Sequence, residues 1–187
     1  MDKIILVGHP GSQQIVKVGK YLLGKYMPNF EAHWLSHDGN IDEWSNHIRI
    51  YLKSLEDEFI VFALDDYLVS GFNKDIYTLA KARLKHEIVA VKLCETNPQE
   101  QAEYPVTTQF TVWRRTSLMN LLEWTTNPWD FEVSGSRRFP EMNMESLHGY
   151  PAITYDTHSA LSKKWEGVNW KGVKAQDMEY IFNKKLI

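Results

Sequence analysis

The chain has 187 residues, 43% of them hydrophobic and 24% charged, which suits one globular domain with a sizeable core and excludes a low-complexity protein. A net charge of −3 gives no global electrostatic case for nucleic-acid binding and leaves only a local basic groove. The single cysteine, Cys94, excludes an intrachain disulfide and, set in an apolar run, reads as core filler. Aromatics are frequent, with seven Trp, and such rings serve sugars, bases or the core equally well. The opening MDKIILVG is too short and too acidic for a signal peptide or a membrane span, so a cytoplasmic protein is expected.

Lys3 to Gly8 reads as a first buried strand. It ends in the turn Gly8 to Ser12 (GHPGS), where glycine permits close backbone approach and His9 stands within reach of a ligand. The turn is neither a P-loop nor GxGxxG. Ser12 then caps a helix with Ile15, Val18, Leu22 and Tyr26 on one stripe, stopped by Pro28. Ala32 to Ser36 is a short second strand ending in His37-Asp38-Gly39-Asn40. Asn40 and Glu43 resemble a capping box, and Trp44, Ile48, Leu52 and Leu55 mark the next helix.

Phe59 to Leu64 (FIVFAL) has the composition of a strand buried on both faces. It runs directly into Asp65 and Asp66, followed by the apolar patch Tyr67 to Val69. Charge beside such a core is expensive unless it is paired or holds a metal. The plainer alternative is a turn that uses Asp for its local bonding. The order strand, helix, strand, helix, strand predicts an α/β fold with a mostly parallel central sheet flanked by helices. In such folds ligands sit at the carboxyl ends of the strands, and GHPGS, SHDG and LDDY all converge there.

Asn73 starts a helix with Ile76, Leu79, Ala80 and Leu84 on one face and Lys74, Lys81, Arg83 and Lys85 on a solvated face. Glu87 to Leu93 is a fourth strand, and the polar stretch Glu95 to Glu103 is a candidate lid. Pro105 to Trp113 is expected as a strand, with Thr116 capping the helix of Leu118, Leu121 and Leu122. Asn127-Pro128 opens another helix in which Asp130 suits the dipole. Glu132 has no such role and lies among Trp129, Phe131 and Val133, ahead of Arg137 and Arg138. The last third gives a short strand, Ala152 to Tyr155, then Asp156, Thr157 and His158, a loop with Lys163, Lys164 and Trp165, and a closing helix of about 174–185.

A carboxylate pair at a strand end suits a hard cation, Mn²⁺ or Mg²⁺, with Asp65 and Asp66 as ligands and His158 as a third. Gly8, His9, Asp38, Asp65, Arg137, Arg138 and Lys164 are the candidates for binding a phosphorylated ligand. Glu132 is a candidate general base, because an aromatic setting moves a carboxyl toward neutrality, and Asp130 is its competitor.

The βαβαβ opening that leads to ALDDYLVS resembles the nucleotide-binding half of GT-A-type glycosyltransferases. TTQFTVWRRTSLMNLLEWTTNPWDFEVSGSRR and ITYDTHSALSKKW resemble the acceptor side of small glycosyltransferase-like proteins of bacteria and phages. The resemblance implies a Rossmann-like GT-A-type single domain, with 1–95 as the nucleotide-sugar half and 104–187 as the acceptor half. It implies transfer of a sugar from a nucleotide-sugar, a UDP-sugar by preference, to a hydroxyl on a glycan, a protein or a modified nucleic acid. Asp65 and Asp66 would hold metal and diphosphate, Glu132 or Asp130 would be the base, and Trp113 and Trp129 would flank the acceptor. Asp-Asp departs from the more usual Asp-x-Asp. The chain is short for a full GT-A domain, which leaves room for a homo-oligomer to complete the acceptor side. The alternatives are a metal-dependent nucleotidyl or phosphoryl transferase on the same acidic strand end, and a non-catalytic nucleotide-binding module.

Overall fold

The computed structural model describes residues 1–8, 13–84, 87–95, 105–138, 143–147, 149–157 and 175–184. Strands β1 (Asp2–Gly8), β2 (Phe30–Ser36) and β3 (Phe59–Leu64) alternate with helices α1 (Gln13–Tyr26) and α2 (Trp44–Lys53). β1 lies between β2 and β3 and runs parallel to both. Gly8 is level with Ser36, and Val7 with Leu64, so three carboxyl ends share one edge as expected.

The alternation within each strand explains its burial on both faces. Ile4, Leu6, Val61 and Ala63 pack with Leu23 of α1, with Met27 just past its end, and with Tyr77 and Ala80 of α3 (Lys74–Arg83). Ile5, Val7, Ile60 and Phe62 point the other way, toward Trp44, Ile48 and Leu52 of α2. The same layer receives Leu118 and Leu121 of α4 (Arg115–Glu123) and Phe131 of α5 (Pro128–Arg138). Asn73 caps α3 as predicted, its Oδ1 accepting from the Asp75 and Ile76 amides at 3.1 and 3.2 Å. The Asn40 side chain accepts from the Asp42 amide at 3.2 Å, opening a 3-10 turn, Ile41–Glu43, ahead of α2.

After the acidic pair, β4 (Tyr67–Phe72) leaves the main sheet. It pairs antiparallel with β8 (Ile153–Thr157), with an irregularity between Val69 and Gly71. The main sheet continues through β6 (Thr111–Arg114), β5 (Ala90–Lys92) and β7 (Met144–Ser146), in the order β2-β1-β3-β6-β5-β7. β6 is antiparallel to both β3 and β5, and β5 and β7 are parallel. The sheet is therefore mostly parallel, with one reversed strand inside it.

Several expectations change. Of the expected strand Pro105 to Trp113 only the part from Thr111 is a strand, continuing to Arg114, because Thr107 and Thr108 turn their bonding toward α5. Arg114, with no side-chain cap, precedes α4, so Thr116 is not the cap. The fourth strand shortens to Ala90–Lys92, and the short strand β7 was not foreseen. Trp113 is completely buried against Phe131, with ring centroids 6.1 Å apart, and so presents no face to an acceptor. Cys94 is buried as expected, with its thiol 3.7 Å from the Phe110 carbonyl. Of the candidate lid, Glu95 to Glu103, all but Glu95 lies outside the described residues.

The closing helix α6 (Ala175–Asn183) packs Ile181 into a third cluster with Ile15, Val18 and Leu22 of α1 and Leu68 of β4. Buried Asp177 accepts hydrogen bonds from Tyr21 at 3.1 Å, from Tyr26 at 2.7 Å and from Lys25. None of the described helices is long and apolar enough to cross a membrane.

Candidate functional site

The carboxyl end of β3 turns so tightly that its two aspartates have different surroundings. The Asp65 amide donates to the Val7 carbonyl at 3.0 Å, and its side chain lies across Gly8. A Cβ on Gly8 would fall 1.7 Å from Asp65 Oδ2, so glycine is required for this approach. Two candidates from distant parts of the sequence thus meet directly. Asp65 is 7% exposed.

Asp66 follows directly. Its Oδ1 is buried and has no hydrogen-bond partner. Burial raises its carboxyl from 3.8 to about 6, opposed by a backbone hydrogen bond and reinforced by the charge of Glu132. The desolvated carboxyl of the site is that of Asp66. Glu132 sits in a polar cradle instead. Its Oε1 accepts from the Thr108 amide and from the Thr108 hydroxyl, both at 2.7 Å.

Thr108 joins the parts of the site. Its carbonyl accepts from the Leu64 amide at 3.0 Å, which fixes it beside the last residue of β3. The Tyr67 hydroxyl is hydrogen-bonded to it as well, and burial raises the Tyr67 phenol. Ser136, one helical turn beyond Glu132, accepts from the Val106 amide at 3.0 Å and holds α5 against the same segment. Thr107, Thr108 and Tyr67 were not singled out from the sequence. Only the Thr-Thr pair at the start of an expected strand hinted at them.

Asp130 has a local task. Its amide donates to Asn127 Oδ1 and its Oδ2 accepts from the Thr126 amide, both at 2.9 Å, which closes the α4–α5 turn. Arg137 and Arg138 are exposed at the end of α5, and Arg138 donates to the Trp124 carbonyl at 3.2 Å. Trp129 is 61% exposed. Asp38 is exposed just past the end of β2, beside buried His37, whose amide donates to the Gly8 carbonyl at 3.0 Å. His9, His158, Lys163 and Lys164 lie outside the described residues. A cavity of about 600 Å³ lined by Lys20, Trp34 and Tyr51 runs along the outer side of β2, away from the acidic pair.

The donor set suits a hard cation in kind. Asp66 offers a buried carboxylate oxygen with no partner, and Glu132 adds like charge nearby. Among the described residues no group of three or more His, Cys, Asp or Glu could hold a metal ion alone. Such a site matches the habit of Mg²⁺, which takes one or two carboxylates and completes its shell with phosphate and water.

Solved structures share this arrangement of elements. The apo form of the glycosyltransferase GlyE from Streptococcus pneumoniae aligns with 99% of this chain at 10% identity and a TM-score of 0.57, over 64% of its own length. S. aureus TarS in complex with UDP-GlcNAc aligns with 82% of the chain at 13% identity and a TM-score of 0.55, over 58% of its fragment. A cytidylyltransferase from Leptospira borgpetersenii aligns with 100% of the chain at 13% identity and a TM-score of 0.52, over 95% of its length. The fold is of the GT-A type. No protein-family model matches the sequence, and no curated protein matches it. This chain spans about three-fifths of the GlyE and TarS chains, 64% and 58%. Within its GT-A-type frame, the acidic pair, Gly8 and Glu132 come together at the carboxyl end of β3.

Proposed function

We propose that the protein is a small glycosyltransferase, of the kind found in bacteria and phages, that moves a sugar from a UDP-sugar to a hydroxyl acceptor with Mn²⁺ or Mg²⁺. The observation that carries this reading is the buried, unpartnered Asp66 oxygen, within electrostatic reach of Glu132, where three parallel strands end. The glycosyltransferase folds it resembles, one of them crystallised with UDP-GlcNAc, support the choice among reactions that use acidic strand ends.

In this reading Asp66 holds the cation, and Asp65 closes the turn over Gly8 beside the nucleotide. The cation, when bound, neutralises charge on the departing diphosphate. Glu132 accepts the proton of the attacking hydroxyl, and Thr108 holds its Oε1 so that the carboxylate is aimed before the acceptor arrives. Direct displacement with Glu132 as base inverts the anomeric centre. The nucleotide lies toward 1–95 and the acceptor toward 104–187. Arg137, Arg138 and Lys164 supply further phosphate contacts.

The test is product analysis with UDP-sugars, UDP-GlcNAc included, in the presence of Mn²⁺. Free UDP together with a glycosylated acceptor supports the proposal, and Asp65→Asn with Asp66→Asn should abolish it in a folded protein. Nucleotide attached to the acceptor would point to nucleotidyl transfer. Binding without metal-dependent turnover would point to a non-catalytic module.

A further inference from the structure

We infer that His37 and His47 form a second, nitrogen-based cation site, for Zn²⁺ or another imidazole-preferring transition metal, at the carboxyl end of β2. The two Nδ1 atoms are 3.3 Å apart. Two nitrogens bound to one tetrahedral metal at about 2.0–2.1 Å stand about 3.3–3.4 Å apart, so the rings already have ligand spacing.

The tautomer of His37 follows from its other contact. Its Nε2 is 2.7 Å from the Asn40 carbonyl, and a carbonyl oxygen only accepts. Nε2 therefore carries the proton, and in the neutral ring Nδ1 keeps its lone pair toward His47. Without metal, His37 Nδ1 accepts from His47 Nδ1, whose proton would move to Nε2 on binding. A ring nitrogen tied to a backbone carbonyl, with the other free to accept, is the outer-shell pattern that orients metal-binding histidines. Both rings are on rigid supports. His37 is 8% exposed and its amide is bonded to the Gly8 carbonyl at 3.0 Å. His47 lies on α2 beside fully buried Ile48.

The chemistry differs from that at Asp66. Imidazole selects zinc, nickel and copper, whereas a carboxylate with phosphate oxygens selects magnesium or manganese. Among the described residues no third His, Cys, Asp or Glu completes a cage around the pair. The site is open, and its remaining positions fall to water or to a ligand oxygen. The inference does not depend on the proposed glycosyl transfer.

The test is a calorimetric titration of the chelator-treated full chain with ZnCl₂, alongside imidazole ¹⁵N spectra of the unmodified protein. Expected are shifts of the Nδ1 resonances of both His37 and His47 on adding zinc. Binding should persist in Asp65→Asn with Asp66→Asn and in His33→Gln, a histidine of β2 bonded to Tyr51 instead, and should weaken about tenfold or more in His47→Gln. If His47→Gln does not fold, the spectra of the unmodified protein decide. Zinc binding that leaves these two rings unmoved, or no binding at large excess, would overturn the site and reduce the contact to one hydrogen bond between two rings.

Discussion

Asp66 keeps a carboxyl where one of its oxygens is buried from solvent and meets no donor. Its folded-state value, about 6, lies above the ordinary 3.8, so the fold prefers the neutral acid. That preference contributes stability in full below about pH 4 and loses it as pH rises through about 6, with about 3 kcal/mol involved. Asp66→Asn should therefore raise the denaturant midpoint at neutral pH and flatten the pH dependence across this window, while turnover collapses. An unchanged midpoint at pH 7 would show that the carboxyl is solvated. Glu132→Gln should lower turnover by about 10²–10⁴-fold with little change in donor KM. Thr108→Val should lower turnover through a misaimed Glu132, and Thr108→Ser should restore much of it. A donor KM that changes as much as turnover would place these residues in donor binding instead. The acidic pair was legible because two charges after a six-residue apolar run need a reason. Thr108 was not, because its significance rests on a bond to a residue 24 positions away.

At the scale of elements, local patterns identified β1, β3, α1 and α3 almost to the residue, since their apolar spacing and, for α3, the Asn73 cap are written in consecutive positions, while the expected cap of α1, Ser12, lies outside the described residues. The stretch Pro105 to Phe110 misled because its Thr and Val composition suits a strand. Its backbone instead serves Leu64, Glu132 and Ser136. Helix α6 shows the reverse. Its apolar stripe announced packing, but nothing in the stripe revealed that Asp177 would gather two tyrosines and a lysine from α1. Asp177→Ala should cost about 1–3 kcal/mol, because it leaves two half-buried tyrosine hydroxyls without their acceptor. Faster amide exchange in α6 than in β1 would localise the loss. Uniform exchange throughout would mean that α6 is integral to the main cooperative unit.

For the whole molecule, the parallel β1, β2 and β3 were legible and the remainder of the sheet was not. The order β3-β6-β5 inserts a late strand between two earlier ones, and only long-range pairing specifies that. One consequence is that β5 touches β3 only through β6. A fragment ending at residue 95 holds β1 to β5 yet lacks the strand that joins them. Expressed alone it should show no cooperative unfolding, and adding residues 96–187 in trans should restore it. Cooperative unfolding of the fragment by itself would mean that the first half is an independent unit.

The reversed β6 also sets a timetable for synthesis. As the chain leaves the ribosome, β3 is complete at Leu64, but its pairing partner begins only at Thr111. At about 5–20 residues per second, the open edge of Phe59–Leu64 waits several seconds for its neighbour. Through that interval an apolar, Val- and Ile-containing strand is available to any other nascent copy. The adjoining carboxylates, Asp65 and Asp66, then have a second role in the newborn chain: like charge at the strand end discourages stacking with its twin.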